Sequence, residues 1–196
     1  AGELAGHTAN VGSLALTPDG RRALSASSDG SLKVWDLESP AARGGLLTLL
    51  NRASSAKDRP RALAVCPTSR QVIVGRDRGM IELHNVGGEL ACEPLLAGQM
   101  QLMGRNAIVA VAWRDAGTAV AADSDGNVSV VDVDRWNVIH ETSGQRGSVN
   151  AFSFSGDGQR AIIGCMDGTV EVREADGTTA CVFRNAHTTR VFDVAL

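Results

Sequence analysis

One short pattern of residues recurs five times, and it restricts the fold of this chain more than any other feature. The copies begin at Val11, Pro60, Ile108, Val149 and Val191, so that successive starts lie 49, 48, 41 and 42 residues apart. Each copy places a small residue between two larger apolar ones. Such alternation indicates a β-strand, and the small residue indicates close approach of neighbouring backbones. Self-similarity at this period predicts a repeat architecture with inner strands around a common axis.

Each unit continues with further strand-like runs separated by turns. A tight turn carrying Asp29-Gly30, Asp125-Gly126 or Asp167-Gly168 precedes a strand of alternating polar and apolar residues. Four strands per unit and no helical period predict an all-β chain whose four-stranded antiparallel blades surround an axis. We expect one partial propeller over residues 1–196. Its predicted units are residues 4–52, 53–104, 105–144, 145–186 and, incomplete, 187–196.

The first unit resembles a WD40 repeat. Its sequence GHTANVGSLALTPDGRRALSASSDGSLKVWD runs from a Gly-His pair to a Trp-Asp pair. In that family a His, a Ser or Thr, an Asp and a Trp form a hydrogen-bonded structural tetrad. Position by position, the resemblance assigns the tetrad to His7, Ser25, Asp29 and Trp35. It also implies a WD40-type β-propeller, and since four units and part of a fifth do not close a ring, we expect a seven-bladed domain.

The later units depart from this pattern. The Trp-Asp pair is replaced by His84-Asn85, Val131-Asp132 and Arg173-Glu174, so full tetrads are expected only in the first unit. His84 and His140 have no partner at ligand spacing, and we expect both to be solvated, with no metal site.

Catalysis is not indicated by these residues. His7, Ser25 and Asp29 contain the residue types of a hydrolase triad, but the spacing recurs in later units without the reactive residues, and no Gly-x-Ser-x-Gly segment exposes a nucleophile. We therefore expect no catalytic residues, no small-molecule substrate and no cofactor.

A partner-binding face follows from the resemblance, because WD40 propellers often bind proteins near the central channel. The corresponding positions flank the first residue of each inner strand or precede the tight-turn aspartate. Carried over, they are Asn10, Gly12, Ser28, Arg59, Arg61, Asp77, Ala107, Val109, Ser124, Ser148, Asn150, Met166, Arg190 and Phe192. Among them, arginine and large apolar residues are the types that supply most interface energy.

Two connections, residues 38–59 and 87–106, are longer than the repeat requires. The first is locally basic through Arg43, Arg52, Lys57 and Arg59, together with Arg61 just beyond it. It could bind an acidic peptide or a phosphate group, or it could be a solvated loop.

Charge and composition limit the partner classes. The net charge is −3, and the basic loop has no aromatic residues for stacking, which argues against nucleic acid. No apolar run is long enough for membrane insertion, and the first ten residues lack the layout of a signal peptide. We expect a cytoplasmic protein, with nuclear or cytoskeletal placement as alternatives, and four reduced, buried cysteines.

These observations predict a scaffold whose partners are other proteins or peptide segments in a multiprotein complex. The alternative is a sensor or regulatory propeller attached to a nucleotide-switch ATPase of the NACHT or NB-ARC kind, because the run TPDGRRALSASSDGSLKVWDL resembles repeats in such proteins.

Overall fold

A computed structural model describes residues 4–38, 45–51, 58–86, 95–102, 104–142, 149–155, 159–174 and 178–195. The strands in these ranges are β1 (Val11–Leu16), β2 (Arg22–Ser27), β3 (Ser31–Asp36), β4 (Gly45–Asn51), β5 (Pro60–Val65), β6 (Gln71–Arg76), β7 (Met80–Asn85), β8 (Leu95–Gln101), β9 (Ile108–Trp113), β10 (Thr118–Asp123), β11 (Val128–Asp132), β12 (Asn137–Thr142), β13 (Val149–Phe154), β14 (Arg160–Cys165), β15 (Val170–Glu174) and β16 (Thr179–Phe183).

The strands form four antiparallel sheets, each made of four strands consecutive in the chain. The innermost strands β1, β5, β9 and β13 contact one another in that order, so the sheets succeed each other as blades around an axis. The prediction of an all-β, WD40-type β-propeller built from four-stranded blades is confirmed. No helix in the described ranges has the length and apolarity needed to cross a bilayer.

The first four copies of the sequence pattern begin where the inner strands begin, at Val11, Pro60, Ile108 and Val149. The fifth copy behaves differently, since the described residues 191–195 form no strand. A strand needs a hydrogen-bonded neighbour, and no described residue pairs with this segment as a sheet. Its first residue is nevertheless held, because the Val191 N–H donates to the Cys165 carbonyl over 3.0 Å.

Apolar residues from adjacent blades meet in separate cores. Between the first and second blades, Leu24 and Val34 pack with Leu63 and Val74. The inner-strand position of Leu63 corresponds to Leu14, which is 71% exposed in the first blade. An apolar face of β1 therefore stays uncovered by the described residues.

A small residue near the end of the second strand sets how closely blades approach. A Cβ atom added at Gly75 would overlap the side chain of Ile108, the first residue of the next inner strand. At the same position in the fourth blade, a Cβ on Gly164 would lie 2.6 Å from Val191 Cγ1. Val191 therefore docks on the fourth blade as Ile108 docks on the second.

The described cysteines differ in burial according to their position in the blades. Cys66 and Cys165 are buried, and burial raises the pKa of the Cys165 thiol to about 11. Cys181 is exposed, so the expectation that it is buried was wrong, because it lies on β16, the outermost strand of its sheet. Cys92 lies outside the described residues.

Candidate partner-binding site

A cavity of about 510 Å³ opens at the ends of the blades where the inner strands begin. The residues that line it are Gly12, Ser28, Arg59, Pro60, Arg61, Val109, Asn150 and Phe192. Seven of these eight belong to the face predicted from sequence, and the structure brings them together from the four blades and the segment after them. Pro60 was missed, although its position as the first residue of β5, between two predicted arginines, was a signal.

Repeat geometry explains why residues so distant in sequence meet. Each inner strand starts at the same end of its blade, and the turn between the second and third strands returns to that end. A recurring backbone hydrogen bond fixes this turn to the residue before the inner strand. The three examples are Ser28 N–H to Asn10 O at 2.9 Å, Asp77 N–H to Arg59 O at 3.0 Å, and Ser124 N–H to Ala107 O at 2.8 Å. The cavity rim is thus built from the same element in three blades.

Both charged residues among those that line the cavity are arginines. The Arg61 guanidinium pairs with the Asp77 carboxylate, while its side chain remains 53% exposed. The backbone N–H of Arg59 donates to the same carboxylate over 3.3 Å. A guanidinium carries five N–H donors, so the half-exposed Arg61 can bind a further acceptor beside its ion pair with Asp77.

An exposed aromatic residue completes the cavity. Phe192 is 67% exposed, and the Arg190 guanidinium carbon lies 4.4 Å from its ring centroid. The segment carrying both residues is attached to the fourth blade, since Asn150 Nδ2 donates to the Val191 carbonyl over 2.6 Å. Stacking of this kind orients the ring and the cation together.

The remaining residues predicted for the face do not line the cavity. Asn10, Asp77, Ala107 and Ser124 contribute the supporting contacts described above, and Arg190 acts through Phe192. Met166 is 45% exposed on the turn between β14 and β15. Ser148 lies outside the described residues, as do Arg43, Arg52 and Lys57 of the predicted basic loop.

The four residues assigned to a tetrad lie within hydrogen-bond distance of one another. Trp35 Nε1–H donates to Ser25 Oγ over 2.8 Å, Ser25 Oγ lies 2.6 Å from His7 Nε2, and His7 Nδ1 lies 2.9 Å from Asp29 Oδ2. The indole can only donate, so the chain of bonds runs from Trp35 through Ser25 and His7 to Asp29. Ser31 extends it, since its hydroxyl donates to Asp29 Oδ1 over 2.5 Å.

The electrostatics of Asp29 follow from these bonds. Burial raises the pKa of its carboxyl, but hydrogen bonds from Ser31, the Thr8 backbone and His7 outweigh burial and hold the pKa well below its usual value. The carboxylate is therefore ionised at neutral pH and anchors the network.

The expectation that His84 is solvated was wrong. His84 is 1% exposed and its Nε2 lies 3.0 Å from Glu82 Oε2, which also accepts from Arg76 Nη2 over 2.9 Å. The reason is register: His84 pairs with Val72 as Trp35 pairs with Ala23, so it occupies the buried position of the tryptophan. His140 is exposed, and the described residues contain no group of three His, Cys, Asp or Glu side chains suited to a metal.

Comparison with known proteins agrees with this architecture. The family model "WD domain, G-beta repeat" matches residues 1–36 and 136–173. WD repeat-containing protein 36 of Homo sapiens is 24% identical over 168 residues, which cover 85% of this chain and 17% of the relative. The chain thus spans a small part of that relative's length. WD40 repeats generally act as non-catalytic modules that bind other proteins. The four-stranded blades and both matches support a WD40-repeat family for this chain.

Proposed function

We propose that this chain is part of a cytoplasmic, non-catalytic scaffold subunit that holds a partner protein in a multiprotein complex. The observation that supports the proposal is the cavity, in which predicted interaction residues from all four blades converge. Its volume of about 510 Å³ suits a few side chains of a partner segment rather than a whole domain.

The chemistry of the cavity favours a segment with both charged and apolar side chains. Arg59 and Arg61 supply donors for carboxylates, and Arg forks bind carboxylates in a bidentate manner. Phe192 offers an apolar surface that a partner side chain would cover. Arginine and aromatic residues are the types enriched where interface energy concentrates.

The test is affinity purification of the full-length protein followed by quantitative mass spectrometry. The variant Arg59→Gln, Arg61→Gln and Phe192→Ser removes the cavity's positive charges and its aromatic surface. All three side chains are on exposed residues, so the fold is expected to persist, and equal melting temperatures verify this. Arg184→Gln is the matched control, because this exposed arginine lies just after β16, away from the cavity.

A stoichiometric partner bound by the wild type and by Arg184→Gln, and bound at least about 30-fold more weakly by the cavity variant, is the expected result. Retention of every partner by the cavity variant contradicts the proposed binding site. Absence of any stoichiometric partner contradicts the scaffold proposal and favours the sensor alternative.

A further inference from the structure

A second cleft, of about 370 Å³, lies between the first and second blades. Its walls are the turn at residues 17–22, between β1 and β2, and the turn at residues 67–70, between β5 and β6. These turns follow the strands whose opposite ends border the partner-binding cavity. A strand of six residues spans about 17–20 Å, so the cleft and the cavity lie on opposite faces.

The cleft is basic. Arg21, Arg22 and Arg70 line it together with one acidic residue, Asp19. Hydrogen bonds from the Thr17 hydroxyl and the Arg21 backbone lower the pKa of Asp19, which is therefore ionised. Three guanidinium groups and one carboxylate leave a net positive charge in a chain whose overall charge is −3.

The arginines already make interactions within the molecule, which an incoming carboxylate would share or replace. Arg21 pairs with Glu38 over 3.2 Å at a site where both side chains are more than 60% exposed. Exposed ion pairs contribute little free energy, so an incoming carboxylate can replace Glu38 at small cost. Arg22 and Arg70 also have partners, and each guanidinium has five donors.

Both walls of the cleft are held in place before any ligand binds. In the first wall, Thr17 N–H donates to Arg22 O over 2.9 Å, and Arg22 N–H donates to Thr17 Oγ1 over 3.1 Å. In the second, Cys66 N–H donates to Gln71 O over 2.8 Å. The Val86 N–H donates to Arg70 O over 2.7 Å and joins the second wall to the end of β7. Such order reduces the entropy lost on binding.

The cleft also has an apolar component. Pro18 and Pro67 contribute rigid apolar surface from opposite walls, and the buried Val86 also lines the cleft. The hydroxyl groups of Thr68 and Ser69 add polar contacts. An extended peptide with acidic and aliphatic side chains matches this combination of guanidinium groups and apolar surface.

We propose that this cleft binds an acidic segment of a second partner protein, through Asp or Glu carboxylates on the arginines and an aliphatic side chain against the prolines. A carboxylate-bearing peptide fits better than a free phosphate, because its aliphatic side chains can also cover the apolar surface of Pro18, Pro67 and Val86. The lining residues include no aromatic side chain on which a nucleic acid base could stack.

The described third-blade turn lacks the basic character of this junction. The equivalent turn of the third blade contains Asp115, and Asp134 approaches it closely enough to lie 3.2 Å from a Cβ added at Gly117. That turn combines Arg114 with two nearby carboxylates, whereas the first-blade turn combines Arg21 and Arg22 with Asp19 alone. The repeat alone therefore does not create the three-arginine lining of this cleft.

The test is an array of random twelve-residue peptides probed with the labelled full-length protein, followed by fluorescence anisotropy on the retained peptides. We expect retained peptides rich in Asp and Glu whose affinity falls at least tenfold for Arg21→Glu/Arg70→Glu. Arg21→Gln/Arg70→Gln is the second variant, free of added carboxylates, and should weaken the same peptides. Arg184→Glu is the matched control and should leave them unchanged.

The two proposed sites are distinguished by which variant releases a peptide. Peptides that lose affinity for the cavity variant, but not for the cleft variants, bind in the cavity. If every peptide that binds the wild type behaves in this way, the cleft proposal is overturned and the cavity proposal is supported. Equal affinity in wild type and Arg21→Glu/Arg70→Glu overturns it as well. Full competition by millimolar inorganic phosphate overturns the preference for carboxylate.

Discussion

The first and second blades have the same strands and the same register, but they fill equivalent buried positions with opposite chemistry. Trp35 corresponds to His84, Lys33 to Glu82, and Ser27 to Arg76. The first blade uses a chain of hydrogen bonds that ends on one ionised carboxylate. The second uses a cluster in which Glu82 lies between Arg76 and His84. The blade backbone therefore does not depend on any one set of side chains.

The two clusters differ in how completely their polar atoms are satisfied. In the first blade every tetrad member has a partner. In the second, Arg76 Nε, His84 Nδ1 and Asp58 Oδ1 are buried without a hydrogen-bond partner, and these are the buried unpaired side-chain atoms found in the described ranges. Burial raises the pKa of Glu82, but the bond from His84 and the charge of Arg76 outweigh it and lower the pKa below its usual value. The second blade thus holds an ionised carboxylate in a less complete network.

The largest effect expected from this difference is at Glu82. Glu82→Ala leaves the Arg76 guanidinium, which is 3% exposed, without its counter-charge, and removal of one partner of a buried pair costs about 3–5 kcal/mol. Urea unfolding followed by tryptophan fluorescence measures this loss. The control is Arg76→Met/Glu82→Leu, which removes both charges together and is expected to cost far less. Equal losses for the two variants would show that packing, not charge, sets the cost.

A smaller loss is expected at the centre of the tetrad. Ser25→Ala removes the hydroxyl between Trp35 and His7 and leaves the buried indole N–H without an acceptor, at a cost of about 1–3 kcal/mol. The same urea experiment measures it. Ser28→Ala is the control, because this exposed serine in the adjacent turn uses its backbone rather than its hydroxyl to hold the turn. If Ser25→Ala and Ser28→Ala unfold alike, the tetrad contributes no stability.

The sequence predicted the elements that depend on local pattern. Alternation of large and small residues located the starts of β1, β5, β9 and β13, and repeat register carried the interaction positions into one cavity. It did not predict the cluster around Glu82, since a histidine in a strand gives no local sign of burial. Only alignment of His84 with Trp35 across the repeats contains that information. The basic cleft was missed because it forms where turns of two different blades meet.

The smallest expected effect is on the pH dependence of the free energy of unfolding. It separates the contribution of the Asp29 charge from that of packing in the first blade. Asp29 stays ionised in the folded protein because its pKa is lowered, whereas in the unfolded chain an aspartate takes up a proton near pH 4. The stability contributed by its charge is thus present above about pH 4 and declines as the pH falls further. Asp29→Asn lacks this contribution at every pH. The free energies of unfolding of wild type and variant should therefore converge by about 1 kcal/mol between pH 6 and pH 3.

The sharpest form of this test measures the free energy of unfolding as a function of pH for the wild type and for two single variants, Asp29→Asn and Asp167→Asn. Asp167 holds the same turn position in the fourth blade, but it is exposed. Hydrogen bonds from the backbone N–H and the hydroxyl of Thr169 lower its pKa, and no other side chain contributes to this lowering. We expect less convergence for Asp167→Asn than for Asp29→Asn, because fewer groups hold its charge. The carboxylates common to all three proteins, including Glu82, cancel in the comparison. A difference between wild type and Asp29→Asn that stays constant with pH would mean that the charge of Asp29 adds no stability to the first blade.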